Sequence, residues 1–120
     1  MPRILLVDDD PAILRLLDVN FRMEGFDVET TSHGEEALAS AARDTPDVVV
    51  LDLMMPGMDG QEILRRLREE PSTSDVPVVF LTARGRDDAA PGDAERYIQK
   101  PFDTVELVAT VRGLLADDAP

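Results

Sequence analysis

The 120-residue chain carries 25 acidic against 12 basic residues, a net charge of −13, and no cysteine. That charge argues against nucleic-acid binding, which needs clustered Lys and Arg against phosphate. The missing thiols exclude a disulfide framework and a thiolate metal site. With 43% hydrophobic residues and no apolar run longer than VVVL at 48–51, the expectation is one soluble domain without a membrane span. MPRILLVDDD lacks a signal-peptide core, so a cytoplasmic location is the default.

The apolar pattern alternates between short runs and helical stripes. ILLV (4–7) predicts a strand, and Asp10-Pro11 supplies a helix N-cap followed by proline at the first helical position. Ile13, Leu14, Leu17 and Phe21 then line one helical face, and Gly25 ends it. DVETT (27–31) reads as a weaker, edge-like strand. Ser32 with Glu35 predicts a capping box for a helix that carries Ala37, Leu38, Ala41 and Ala42. VVVL (48–51) is apolar without alternation, as expected of a central parallel strand covered on both faces. Ile63, Leu64 and Leu67 mark a third helix, closed by Pro71. VPVVFL (76–81) and YIQ (97–99) give two more strands. Asp103 and Glu106 cap a last helix with Leu107, Val108, Val111 and Leu114 inward. Strands alternating with helices imply right-handed crossovers and a five-stranded parallel sheet. The segment TARGRDDAAPGDAER (82–96) resists this pattern: two glycines and Pro91 break any long helix.

In such sheets the site forms beyond the carboxyl ends of the strands. Asp8, Asp9 and Asp10 follow the first strand, Asp52 the third, Thr82 the fourth and Lys100 the fifth. Lys100 is the chain's only lysine among eleven arginines, and a compact ammonium on a flexible stem is not interchangeable with a guanidinium fork. Clustered carboxylates demand a counter-charge, and an oxygen-only ligand set points to magnesium, which takes one or two carboxylates plus waters and phosphate oxygens. A remaining carboxylate can attack phosphorus to give an aspartyl phosphate, a transfer that needs charge neutralisation more than covalent help. Asp10, before Pro11, reads as a cap rather than a ligand.

VDDD (7–10), VVVLDLMMPGMDG (48–60), FLTA (80–83) and YIQKPF (97–102), in that order, resemble a two-component response-regulator receiver (CheY-like) domain over nearly the whole chain. The resemblance implies a doubly wound, (βα)5 flavodoxin-like sandwich with parallel strand order 2-1-3-4-5. It implies Asp52 as phosphoryl acceptor, Asp8 and Asp9 as the acidic pair that holds Mg2+ with Asp52, and the Met54 backbone carbonyl as a further ligand. Thr82, Lys100 and the Ala83 backbone N–H would contact the phosphoryl oxygens. A cis Lys100-Pro101 bond and a switching aromatic at Tyr97, paired with Thr82, belong to the same likeness. The implied partners are a histidine kinase or phosphotransfer protein, a downstream effector and a second copy in a homodimer, with no direct nucleic-acid or membrane contact. The receiver would span 1–116, with 117–120 a flexible tail or the start of a linker. In that role the chain is a switch rather than an enzyme, catalysing only its own phosphoryl acceptance and slow autodephosphorylation.

Family receivers carry a full helix between the fourth and fifth strands, and here the interval from Thr82 to Lys100 is about one turn short of that. A shortened or irregular fourth helix is therefore expected, with a changed output surface. Arg84 is a candidate for overhanging the site and slowing water attack. His33, beside a helix cap, reads as a solvated loop residue. Two competing readings are a phosphohydrolase of haloacid-dehalogenase type, since Asp8 and Asp10 form a D-x-D, and a pseudo-receiver that binds partners constitutively.

Overall fold

The structure, a computed structural model, describes residues 1–55, 57–82 and 95–117. Five parallel strands form one sheet: β1 (Arg3–Val7), β2 (Asp27–Thr31), β3 (Val48–Asp52), β4 (Val78–Thr82) and β5 (Glu95–Gln99). The described helices are α1 (Pro11–Met23), α2 (Gly34–Arg43), α3 (Gly60–Glu69) and α4 (Thr104–Asp117). The strand order is β2-β1-β3-β4-β5, which places β1 beside β3 and leaves β2 at one edge, as expected. The expected short helix between β4 and β5 lies outside the described residues, as do positions 118–120 of the expected tail.

Alternation along the strands divides the core in two. Ile4, Leu6, Val48, Val50, Val79, Leu81 and Ile98 face α1 and α4, meeting Leu17, Phe21, Leu107 and Val111. Leu5, Val7, Val49, Leu51, Val78 and Phe80 face α2 and α3, meeting Ala37, Ala41, Ile63 and Leu67. Every residue of β3 and β4 is buried. Each such Val, Leu or Phe contributes roughly 1.5–3 kcal/mol relative to exposure, so both helical layers are needed to cover the central strands.

Local signals set most helix ends. The Asp10 side chain accepts from the Ala12 N–H at 2.9 Å ahead of Pro11, and Gly25 turns the chain with φ +91°, where a Cβ would be strained. Asp59 caps α3 by accepting from Glu62 N–H at 3.0 Å, and Asp103 accepts from Val105 N–H at 2.8 Å ahead of α4. The capping box expected of Ser32 and Glu35 is not formed. Helix α2 begins one residue later, with His33 at the N-cap position and no side-chain cap bond. Ser32 Oγ instead pairs with His33 Nδ1 at 3.1 Å, and Thr31 Oγ1 donates to Glu36 at 3.2 Å. Helix α4 is tied to the end of α1 by Arg112, which donates to the Glu24 carbonyl at 2.9 Å and lies 5.5 Å from the Phe26 ring centroid.

In the middle of β2, Glu29 accepts from Ser40 Oγ and from Arg3 Nη2, each at 2.6 Å. The Ser40 hydrogen bond first, then Arg3, hold its carboxyl below the ordinary 4.5. A carboxylate with a lowered folded-state pKa contributes stability that is complete above its unfolded value and lost as pH falls through the folded one. Glu29→Gln is therefore expected to be less stable than wild type in urea at pH 7, with the gap shrinking below about pH 4.5. A gap of equal size at pH 3 would remove the ionised carboxylate as its cause.

Candidate functional site

The two central strands end in acid. Asp8 follows β1 and Asp52 closes β3, and both are almost fully buried, at 1% and 5% exposure. Buried carboxylates require partners, and the backbone and Lys100 provide them. Asp8 accepts from its own turn, Asp10 N–H, at 2.9 Å. Asp52 Oδ1 accepts from Met54 N–H at 3.1 Å. Lys100 Nζ lies 3.2 Å from Asp8 Oδ2 and 3.4 Å from Asp52 Oδ2. The lone lysine thus stands between the two acids that the sequence placed at its rim. Its own strand is registered by Lys100 N–H donating to the Thr82 carbonyl at 2.6 Å, and the Lys100-Pro101 bond is cis.

Thr82 is buried at the end of β4, opposite Gln99 of β5. Asp9 is exposed, yet a carboxylate oxygen from each of Asp8, Asp9 and Asp52 lies within 4.8 Å of the others. Three hard oxygen donors at that spacing suit a small divalent cation such as Mg2+. The Met54 side chain is 64% exposed, so its sulfur is no part of this cluster. Asp10 is engaged as the α1 cap. His33, also exposed, is engaged with Ser32 and Glu36. Ala83 and Arg84 lie outside the described residues.

Burial pushes the Asp52 carboxyl up from its ordinary value of 3.8, and the charge of Asp8 adds to it, against the opposing pull of the Met54 N–H and Lys100. Burial also works against the Lys100 ammonium, but Asp8 and Asp52 together outweigh it and raise the lysine.

Two sets of contacts escaped the sequence, those of Tyr97 and those of Gly60. Tyr97 is half-buried, with its ring stacked on Phe80 at 5.1 Å and 27°, and Gln61 Nε2 donates to its hydroxyl at 3.4 Å. Gly60, at the start of α3, lies directly against the backbone of Asp52 and Leu53. PGMDG carries turn-forming residue types, and nothing in that string signals this close approach.

The family model for the response regulator receiver domain matches residues 4–112. The chain belongs to the response regulator receiver family. The receiver is 45% identical over 119 residues to the DNA-binding dual master transcriptional regulator RpaA of Synechocystis, covering 96% of this chain and 49% of RpaA. It spans about half the length, or less, of the curated relatives it matches. Among solved structures, a response regulator from Chloroflexus aurantiacus superposes with a TM-score of 0.86 at 36% identity, covering 96% of this chain and 98% of that one. The receiver domain of a Pseudomonas aeruginosa sensor histidine kinase, solved with magnesium coordinated in its active-site cleft, gives 0.86 at 27% identity over 96% and 98%. No helix among the described residues is long and apolar enough to cross a membrane.

A carboxyl whose folded-state pKa is raised carries no penalty below its unfolded value and a growing one as pH rises through the folded value. Asp52→Asn is therefore expected to raise the melting temperature of the metal-free receiver at pH 7, and to lose that advantage below about pH 3.8. Equal melting temperatures at pH 7, measured by scanning calorimetry in EDTA, would count against a strained carboxylate.

Proposed function

We propose that this receiver is a phosphorylation-controlled switch in which Asp52 accepts a phosphoryl group from a histidine kinase or phosphotransfer protein. The observation that carries the reading is the placement of a buried Asp52 carboxylate between Lys100 and the acidic cluster of Asp8 and Asp9. The Oδ1 atom is held by Met54 N–H, so Oδ2, on the Lys100 side, is the attacking oxygen. As the new P–O bond forms on Asp52, the P–N bond of the donor phosphohistidine breaks and its electron pair returns to the imidazole. In the slow hydrolytic branch, water attacks phosphorus, the P–O bond to Asp52 breaks, and orthophosphate leaves.

Asp8, Asp9 and Asp52, with the Met54 carbonyl, would hold Mg2+, which supplies positive charge at the phosphoryl oxygens when bound. The magnesium named for the Pseudomonas aeruginosa receiver supports that choice. Lys100 balances the incoming charge from the opposite side. Thr82, by its strand-end position, donates its hydroxyl to a phosphoryl oxygen, and the Ala83 N–H takes the role the family likeness gives it. Lysine suits this work because a single ammonium can leave one carboxylate for another oxygen without losing a paired geometry. Tyr97, packed on Phe80 in the middle of β5, reports the Thr82 shift to the partner-binding face. Phosphorylation then changes affinity for a downstream effector or a second copy by favouring one of two conformations. RpaA is named as DNA-binding, but a net charge of −13 sets these 120 residues against a phosphate backbone. Their place is the switch, and the compartment is the cytoplasm, where such kinases present their phosphohistidine.

Incubation with acetyl phosphate and MgCl2, followed by intact mass, tests the reading. The wild type is expected to gain one phosphoryl group, and Asp52→Asn none. Omission of Mg2+, or Asp8→Asn, is expected to slow uptake at least tenfold. No gain in either protein, from acetyl phosphate or from a phosphorylated histidine donor, would leave a constitutive binding module.

A further inference from the structure

A side chain on the first residue of α3 would meet the acceptor strand itself. Gly60 is packed so that an added Cβ would lie 2.9 Å from the Asp52 carbonyl oxygen, 2.9 Å from Leu53 Cα and 3.2 Å from Phe80 Cε1. The first two are backbone atoms and cannot rotate away. Gly60 N–H also donates to the Leu53 carbonyl at 2.9 Å, and Leu53 N–H donates to the Leu81 carbonyl at 2.9 Å. The peptide that carries Asp52 is thus held between β4 on one side and the start of α3 on the other.

We infer that Gly60 is a positioning residue for phosphoryl acceptance, acting through the Asp52–Leu53 peptide. This rests on the reading of Asp52 as acceptor. A Cβ must displace either the helix or the peptide. Helix α3 is anchored by Ile63 and Leu67, 1% and 3% exposed, and Phe80 is fully buried behind the contact. On the other side, Met58 is wedged over Gly34 of α2, where a Cβ would meet its Cβ and Sδ at 3.0 Å. The peptide is the part left to move. Beyond it the strand ends, and the Asp52 carboxylate is held by Met54 N–H and Lys100. Displacement there turns Oδ2 away from the line of attack.

Loss of packing alone would lower stability without a specific loss of rate, so the test pairs two variants. Gly60→Ala changes the seat, whereas Leu67→Ala loosens the same helix about two turns further on and leaves the seat intact. Both are measured for melting temperature and for the rate of uptake from acetyl phosphate at saturating Mg2+, beside wild type. The expected result is a rate at least tenfold lower in Gly60→Ala, with Leu67→Ala within twofold of wild type at a similar or larger loss of melting temperature. Equal rates in the two variants overturn the inference. Where Gly60→Ala does not fold, Gly34→Ala presses on the same turn through the flexible Met58. A threefold or greater slowing with melting temperature retained supports the positioning role, and an unchanged rate overturns it. A wild type that takes up no phosphoryl group from any donor overturns the acceptor reading itself, and the inference with it.

Discussion

Strands covered on both faces have no place for a polar side chain until they end. That constraint organises this receiver. Strands β1 and β3 are flanked by strands and roofed by helices on both sides, so Asp8 and Asp52 are the first positions at which charge is tolerated, and they come side by side. What the core demands for stability thereby delivers two carboxylates to one rim, together with Thr82 and Lys100 from the neighbouring strands.

The arrangement is strained by design of its charges. Two buried acids stand side by side, burial disfavours ionisation of Asp52, and one ammonium answers both. Such a pair is balanced rather than strongly bound. A site of that kind releases little when Lys100 shifts from one oxygen to another, and that suits a group meant to exchange partners. Elsewhere the charge is conventional. Glu62 on exposed α3 is drawn down to about 2 by hydrogen bonds from Arg65 and Arg66, a surface network that screening weakens.

Residues whose place follows from ending a buried run were legible in the sequence. Asp8, Asp52 and Thr82 belong to that class, and Lys100 was placed by following the short fifth strand; the strand order came from the likeness to receivers and not from periodicity. Asp10 and Gly25 were legible because a cap and a left-handed turn each demand a particular residue type. The Ser32–Glu35 box was misplaced because capping depends on which residue starts the helix, and an offset of one residue abolishes it. The seat of Gly60 and the Phe80–Tyr97 stack left no trace in periodicity. Each is a distance between segments that meet only after the sheet has formed.

The outer edge of β2 has a consequence for the protein in crowded solution. An edge strand offers unpaired backbone groups to any neighbouring chain. Here Asp27 is exposed and Glu29 half-buried, both drawn toward Arg3. A foreign strand laid along that edge would have to desolvate these carboxylates and compete with Arg3 for them. It would also approach a molecule that already repels its own copies. The acidity of the chain therefore guards the open side of the sheet against edge-to-edge assembly, one strand out from the β1–β3 pair that carries Asp8 and Asp52.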